Sequence, residues 1–225
     1  MSNIRFEGAI WYKDIQTLTC SIIGVGATGS YASFLLSRAG IKNLTLVDPD
    51  YIEAHNIGSQ LFGYQTIGQP KVGAVKNMLL EYTTPKRINV YNSKVEKNSI
   101  FLESDIVLST LDSMSGRKYM FDTFLQRDVC KIFIDSRISA EYYEIYCITK
   151  ENTEAIEKYK KTLFSDAEGN MGACNYQQSS HSACMAACEI TKLVTNFVTN
   201  NIIEEKEIPY KTIYDLRTSK HTIEW

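Results

Sequence analysis

Apolar and polar positions run along this chain in blocks of two periods. Leu18 to Val25 is an apolar run ending in glycines, the pattern of a strand buried on both faces of a parallel sheet. Ser30 to Ala39 has helical spacing and stops at Gly40, a residue suited to a helix C-terminus. Asn43 to Val47 is a β-rich run, and Lys71 to Tyr82 returns to helical spacing before Pro85. Ile88 to Val95, Asp105 to Thr110 and Lys131 to Asp135 read as strands, with a helix over Gly116 to Arg127 between the last two. Glu141 to Thr149 follows too closely for an intervening helix, so it is predicted to pair antiparallel. A polar excursion, a crossover loop over about 150–178, holds a short helix near Glu154 to Leu163. Ala183, Ala187, Ile190, Val194 and Phe197 mark a long helix, and Tyr210 to Trp225 suits a terminal hairpin.

This order predicts an α/β fold. It is Rossmann-like, a mostly parallel sheet with helices on both faces and an antiparallel C-terminal portion, in one domain over 1–225. No internal repeat, low-complexity tract or flexible linker interrupts it.

Composition narrows the function classes. A net charge of -2, with 22% charged residues, gives no footprint for nucleic acid or an anionic membrane surface. There is no apolar run of ~18 residues for a transmembrane helix, and Met1 to Tyr12 lacks a signal-peptide core. The expected location is cytoplasmic. The six cysteines are then read in a reducing compartment, and no CxxC pair suggests a zinc knuckle.

The most local chemical signal is Gly24-Val25-Gly26-Ala27-Thr28-Gly29, between an apolar strand and a helix. The first glycine permits a tight turn, the second lets backbone approach phosphate oxygens, and the third lets helix and strand pack closely. The helix N-terminus offers unpaired N–H groups to an anion. Asp48 closes the second strand about twenty residues on, where an acid accepts bonds from ribose hydroxyls. A solvated turn at Asp48-Pro49-Asp50 is the plain alternative, and an NAD(P)-dependent oxidoreductase fits these features as well as an ATP enzyme does.

The segment from Asp48 to Lys71 separates those two. It carries Asp48-Pro49-Asp50, then Asn56-Ile57-Gly58-Ser59-Gln60, then Gly68-Gln69-Pro70-Lys71; further on, Ser109-Thr110-Leu111-Asp112 ends a strand in an acid. Together these resemble the ThiF/MoeB/HesA, or E1-like ubiquitin-activating, superfamily in a minimal bacterial form, over about Arg5 to Val198. The resemblance implies an adenylation domain that uses ATP and Mg2+. Gly24, Gly26, Ala27, Gly29, Asp48 and Asp50 would hold the nucleotide, with Asn56 and Gln60 near the phosphates. Lys71 would reach the α-phosphate and Asp112 the metal. It implies a homodimer in which an arginine from the partner's N-terminal segment enters the site, and Arg5 is the candidate. It implies a small ubiquitin-like or sulfur-carrier protein as substrate, and an E2-like protein as a further partner. One position departs from the pattern: Ser59 stands where the family carries arginine, which keeps an inactive scaffold subunit among the alternatives.

Without the resemblance, Lys71 reads as a solvated lysine and Asp112 as a helix cap. Cys174, in Gly172-Ala173-Cys174-Asn175 ahead of the long helix, sits where family members carry a cysteine that attacks the acyl-adenylate. It is the candidate nucleophile, and a helix start lowers a thiol's pKa; the alternative is a spare loop cysteine. Cys184 and Cys188 read as small packing residues, Cys20, Cys130 and Cys147 as core, His181 as a capping or surface residue, and Arg117 as structural.

Overall fold

The computed structural model describes residues 6–95, 103–165, 179–200, 202 and 208–225. A short helix α1 (Tyr12–Ile15) leads into β1 (Thr19–Ile23), α2 (Ala27–Ala39) and β2 (Asn43–Val47). Two single turns of 3-10 helix, Ala54–Gly58 and Tyr64–Thr66, precede α3 (Lys71–Tyr82) and β3 (Arg87–Tyr91). Then come β4 (Ile106–Ser109), α4 (Met114–Gln126), β5 (Ile132–Ser139) and β6 (Tyr142–Thr149). The described chain finishes with α5 (Thr153–Lys160), α6 (Ser180–Asn200), β7 (Lys211–Asp215) and β8 (Lys220–Glu224).

The strands form one eight-stranded sheet in the order β3-β2-β1-β4-β5-β6-β7-β8. The first five are mutually parallel, and β6, β7 and β8 each pair antiparallel with the strand before. The order reverses between β1 and β4, which opens a crevice at the carboxyl ends of the strands.

Both faces of the sheet are covered, as the unbroken apolar strands require. Ile22, Leu44, Leu46, Leu108 and Ile134 face one cluster with Leu36 of α2, Val75 of α3 and Ile190 of α6. Ile23, Val47, Val107 and Phe133 face the other, with Phe121 and Phe124 of α4 and Tyr159 of α5. Neighbours in a strand thus point to opposite clusters, the two-residue period of a pleat.

The sequence-based elements differ from these mainly at their ends. α2 starts at Ala27, three residues before the predicted start, and so takes Gly29 into its first turn. It ends as expected at Gly40, whose φ of 129° lets its N–H reach back to Leu36 O and Ser37 O. β3 stops at Tyr91, short of Val95. β5 runs on to Ser139, because the β5–β6 hairpin turns tightly through Ala140 at φ 54° and leaves the strands paired to their tips. The predicted terminal hairpin is present as β7 and β8, turning at Ser219 with φ 56°.

Candidate functional site

The carboxyl ends of β1, β2 and β4 are tied to one another before any ligand is considered. Gly24 N–H donates to Val47 O at 2.8 Å, Thr110 N–H to Ile23 O at 2.9 Å, and Asp48 N–H to Tyr91 O at 3.2 Å. Thr110 Oγ1 also donates to Gly24 O. Gly24 needs its glycine: φ is 88°, and a Cβ would lie 2.8 Å from Thr110 O. Gly29 needs it too, since a Cβ there would fall 2.0 Å from Gly24 O. The turn and the first coil of α2 are therefore in backbone contact. Gly26 is different. A Cβ on Gly26 would meet nothing nearer than the Gln60 amide at 3.8 Å, so no protein contact demands a glycine there.

Asp48 is buried behind this turn. One carboxylate oxygen accepts the Val25 N–H at 2.8 Å and the other the Asp50 N–H at 2.9 Å. Burial pushes its carboxyl above the usual aspartate value, while those two N–H groups and the nearby Lys71 charge pull the other way.

Asp50 pairs with Lys71, Nζ to Oδ2, at 2.9 Å; the lysine side chain is 9% exposed and the aspartate's 62%. The backbone holds the same register: Lys71 N–H donates to Asp50 O and Ile52 N–H to Gln69 O, with a bridge between Tyr51 and Pro70. Asp50 thus meets Asp48 through its backbone N–H and clamps the lysine with its carboxylate.

A cleft of about 790 Å3 opens over these groups, lined by Gly24, Gly26, Ala27, Asp48, Asp50, Gln60, Lys71 and Asp112 among others. Eight of the residues singled out from the sequence are therefore brought to one place. Asp112 stands on the loop before α4 and makes no ion pair or hydrogen bond among the described residues. Ser113, not Asp112, caps α4, accepting the Gly116 N–H at 3.3 Å. Gln60 Oε1 is buried without a partner among the described residues.

Gly29 lies beneath the cleft rather than in its wall. Asn56 also lies outside the lining: its Oδ1 accepts the Glu53 N–H at 2.9 Å and closes a capping box on the first 3-10 turn. Through that bond Asn56 shapes the Asp50–Lys71 excursion. Arg5, Cys174 and the part of the crossover loop from residue 166 to 178 fall outside the described residues.

The remaining cysteines are placed as free thiols. Cys20 and Cys147 are wholly enclosed, with burial holding both thiols well above the usual range. Cys130 is buried as expected, but Cys188 is exposed and Cys184 only half covered, so Cys188 is no packing residue. His181 is a surface side chain beside Glu141 and Ser179.

The cleft also contains residues the sequence did not point to: Thr110, Leu111, Tyr119, Ser93 and Lys94. Thr110 was legible only as the penultimate residue of an acid-ended strand. Lys94 supplies a second cationic side chain at the rim, and no motif marks it. Arg117 is structural, as read, and heavily engaged: it reaches Asp135 Oδ1 at 2.5 Å, Ser136 O at 3.1 Å and Leu111 O.

Solved structures share the fold across almost the whole chain. The crystal structure of SeMet PaaA superposes with a TM-score of 0.73 at 17% identity, covering 95% of this chain and 65% of that one. The complex of E. coli MccB with ATP gives 0.69 at 17%, with the same coverage. Among curated proteins, the tRNA threonylcarbamoyladenosine dehydratase of Bacillus subtilis is 27% identical over 169 residues, 70% of this chain and 66% of that protein. The molybdopterin-synthase adenylyltransferase of Escherichia coli is 33% identical over 121 residues, 51% of this chain and 47% of that one. The SUMO-activating enzyme subunit 2 of Dictyostelium discoideum is 28% identical over 159 residues, 68% of this chain and 24% of that one. The chain thus spans from a quarter to two thirds of these relatives' lengths. The ThiF family model matches residues 1–222, and the chain belongs to the ThiF family.

Proposed function

We propose that this protein binds Mg-ATP in the cleft and adenylates the C-terminal carboxylate of a small ubiquitin-like or sulfur-carrier protein. The observation that carries the reading is the convergence of a glycine turn, a helix N-terminus, a buried carboxylate, a clamped lysine and an unpaired acid on one cleft. Its volume of about 790 Å3 suits a nucleotide, since small-molecule pockets run to roughly 300–1,000 Å3.

The residues present fit the triphosphate and its ion. Gly26 leaves open the space that a Cβ would fill, which admits phosphate oxygens to the backbone. The α2 N-terminus turns its unpaired N–H groups to that space. Asp112 is an unengaged hard-oxygen donor of the kind magnesium takes alongside phosphate oxygens. Magnesium held there would neutralise charge on the phosphates.

In the reaction, a carboxylate oxygen of the substrate attacks the α-phosphorus and the bond to the β-phosphate oxygen breaks, releasing pyrophosphate. Negative charge grows on the α-phosphate and the leaving group. The Lys71 ammonium, fixed by Asp50, stabilises charge that is larger in the transition state than in the ground state. Asp48 accepts the ribose hydroxyls and holds the turn through Val25. Cys174 then takes the acyl group as a thioester, with AMP as leaving group. The family's homodimer, with Arg5 contributed across the interface, and an E2-like acceptor complete the reading.

The relatives support the chemistry through their names: a molybdopterin-synthase adenylyltransferase and a SUMO-activating enzyme subunit are among them. The test is ATP–pyrophosphate exchange with candidate carrier proteins ending in a free glycine carboxylate. Exchange that needs Mg2+ and Asp112 but survives Cys174→Ala supports the division of roles. Binding of NAD in place of ATP favours an oxidoreductase, and nucleotide binding without exchange favours a scaffold subunit, as Ser59 would allow.

A further inference from the structure

Asp135, on β5, is wholly buried. A carboxylate in such a place must be paired to be tolerated, and here three donors converge on it. Arg117 Nη1 reaches Oδ1 at 2.5 Å. Arg137 Nε and the Tyr159 hydroxyl reach Oδ2 at 2.8 and 2.9 Å.

Both arginines are engaged on their far sides, and with different segments. Arg117 donates to Leu111 O, the carbonyl preceding Asp112, and to Ser136 O. Arg137 donates to Thr162 Oγ1 at 2.9 Å and Thr162 O at 3.3 Å, and its guanidinium lies 4.5 Å from the centre of the Tyr146 ring. Burial opposes the Arg137 charge, but Asp135, with Tyr159 and Tyr146, outweighs it and holds the guanidinium above its usual pKa. Thr162 is the foot of the connection from α5 to α6, which carries Cys174 in the sequence.

We propose that Asp135 is a positioning residue that fixes the Asp112 loop and the foot of the α5–α6 connection in one relation, through Arg117 and Arg137 respectively. Two acceptor oxygens are needed, one for each arginine. Asparagine at this position keeps the shape but offers a single acceptor, so it cannot serve both. Lysine in place of either arginine keeps the charge but loses the planar fork that spans two partners. The consequence for catalysis rests on the adenylation reading; the mechanical linkage does not.

The experiment is amide hydrogen exchange, without nucleotide, on the wild-type chain and on Arg117→Lys, Arg137→Lys and Asp135→Asn. Arg117→Lys is expected to speed exchange over residues 110–116 alone, by about tenfold, the order expected for loss of a charge-assisted hydrogen bond. Arg137→Lys is expected to do so over residues 159–165 alone. Asp135→Asn is expected to loosen both, with β1 and β2 unchanged. Should Asp135→Asn not fold, the two arginine variants and Thr162→Val, which is expected to loosen residues 159–165 only, decide the matter. Uniform loosening in every variant, or no segregation between the two segments, overturns the proposal. As a readout that plain destabilisation would not move, the Mg2+ needed for half-maximal ATP binding should rise in Arg117→Lys and Asp135→Asn and stay unchanged in Arg137→Lys; a rise in Arg137→Lys also counts against the linkage. If the wild-type chain binds no Mg-ATP, the adenylation reading fails while the exchange pattern still decides the linkage.

Discussion

Lys71 and Asp50 hold each other twice, by an ion pair of 2.9 Å between side chains and by a backbone bond from Lys71 N–H to Asp50 O at 3.0 Å. The double contact closes the long excursion between β2 and α3 on itself. It places an ammonium that is almost fully buried at the wall of the cleft. The lysine's long side chain, floppy in solution, is fixed before a ligand arrives.

Lys71→Met is therefore expected to lower ATP–pyrophosphate exchange at saturating ATP by roughly 100- to 1,000-fold, the usual cost of removing one preorganised charge-stabilising group. The chain should remain folded, because the partner left behind is an exposed carboxylate that water solvates, and methionine refills the buried course of the lysine stem. Asp50→Asn should lower the rate by less, since it loosens the ammonium without removing it. Exchange kinetics beside thermal denaturation separate the two outcomes.

Gly29 and Gly26 separate stability from binding. Gly29→Ala puts a Cβ 2.0 Å from Gly24 O, and relieving that contact should cost about 3 kcal/mol or more. Gly26→Ala meets no protein atom closer than 3.8 Å, so its stability cost should be less than half as large. It should nevertheless weaken ATP binding more than about tenfold, a change of ~1.4 kcal/mol, because the methyl group occupies the approach of the phosphates. Denaturant titration and calorimetric binding check the pair.

These two glycines also show what a sequence can and cannot disclose. The glycine turn and Asp48 were legible because each depends on a short stretch in a strand–turn–helix context, whereas Lys71 and Asp112 were singled out only through the family resemblance. The start of α2 was not legible, because propensity counts a glycine against a helix, whereas Gly29 sits in the first turn to let the backbones touch. The part Asn56 plays in the capping box of the first 3-10 turn was not legible, since which backbone groups a loop side chain meets is decided by the fold. The Arg117–Asp135–Arg137 cluster was hidden by its spacing in the chain: Asp135 lies 18 residues from Arg117, and the α5 segment that Arg137 holds lies 25 beyond it. Lys94 reaches the cleft only because β3 lies beside β2.

The proposed role of Asp48 at the ribose predicts a pH dependence of defined sign for nucleotide binding. Its carboxyl is raised by burial, and it must be ionised to accept two ribose hydroxyls. Affinity should fall as the pH drops through that raised value, earlier than an ordinary aspartate would require. Asp48→Asn should bind roughly 10- to 100-fold more weakly, the loss of one or two charge-assisted hydrogen bonds, with the acid limb gone. Binding isotherms across pH on both proteins measure it.

Fold stability should also fall in acid, through carboxyls that the fold holds low rather than high. Asp105 is held below the usual carboxyl value: burial works against this, but Lys131 and the Thr19 N–H and hydroxyl outweigh it. Glu144 is held low in the same manner by Tyr146, Tyr142 and Lys211. A folded-state pKa below the unfolded one gives stability that is present above the unfolded value and lost as pH falls through the folded value. Unfolding free energy should thus hold steady down to about pH 5 and decline below about pH 4.5, as carboxyls near their ordinary values begin to protonate in the unfolded chain. Asp105→Asn should flatten part of that decline, as read by denaturant titration at several pH values; Asp48, with its raised pKa, contributes in the other sense.

The most direct measurement is a crystal structure with a non-hydrolysable ATP analogue and Mn2+, the ion located by its anomalous signal. The account predicts Mn2+ bound to Asp112, the α-phosphate against Lys71 Nζ, and the ribose on Asp48. A nucleotide bound in this cleft with its phosphates directed away from both Lys71 and Asp112 would contradict it.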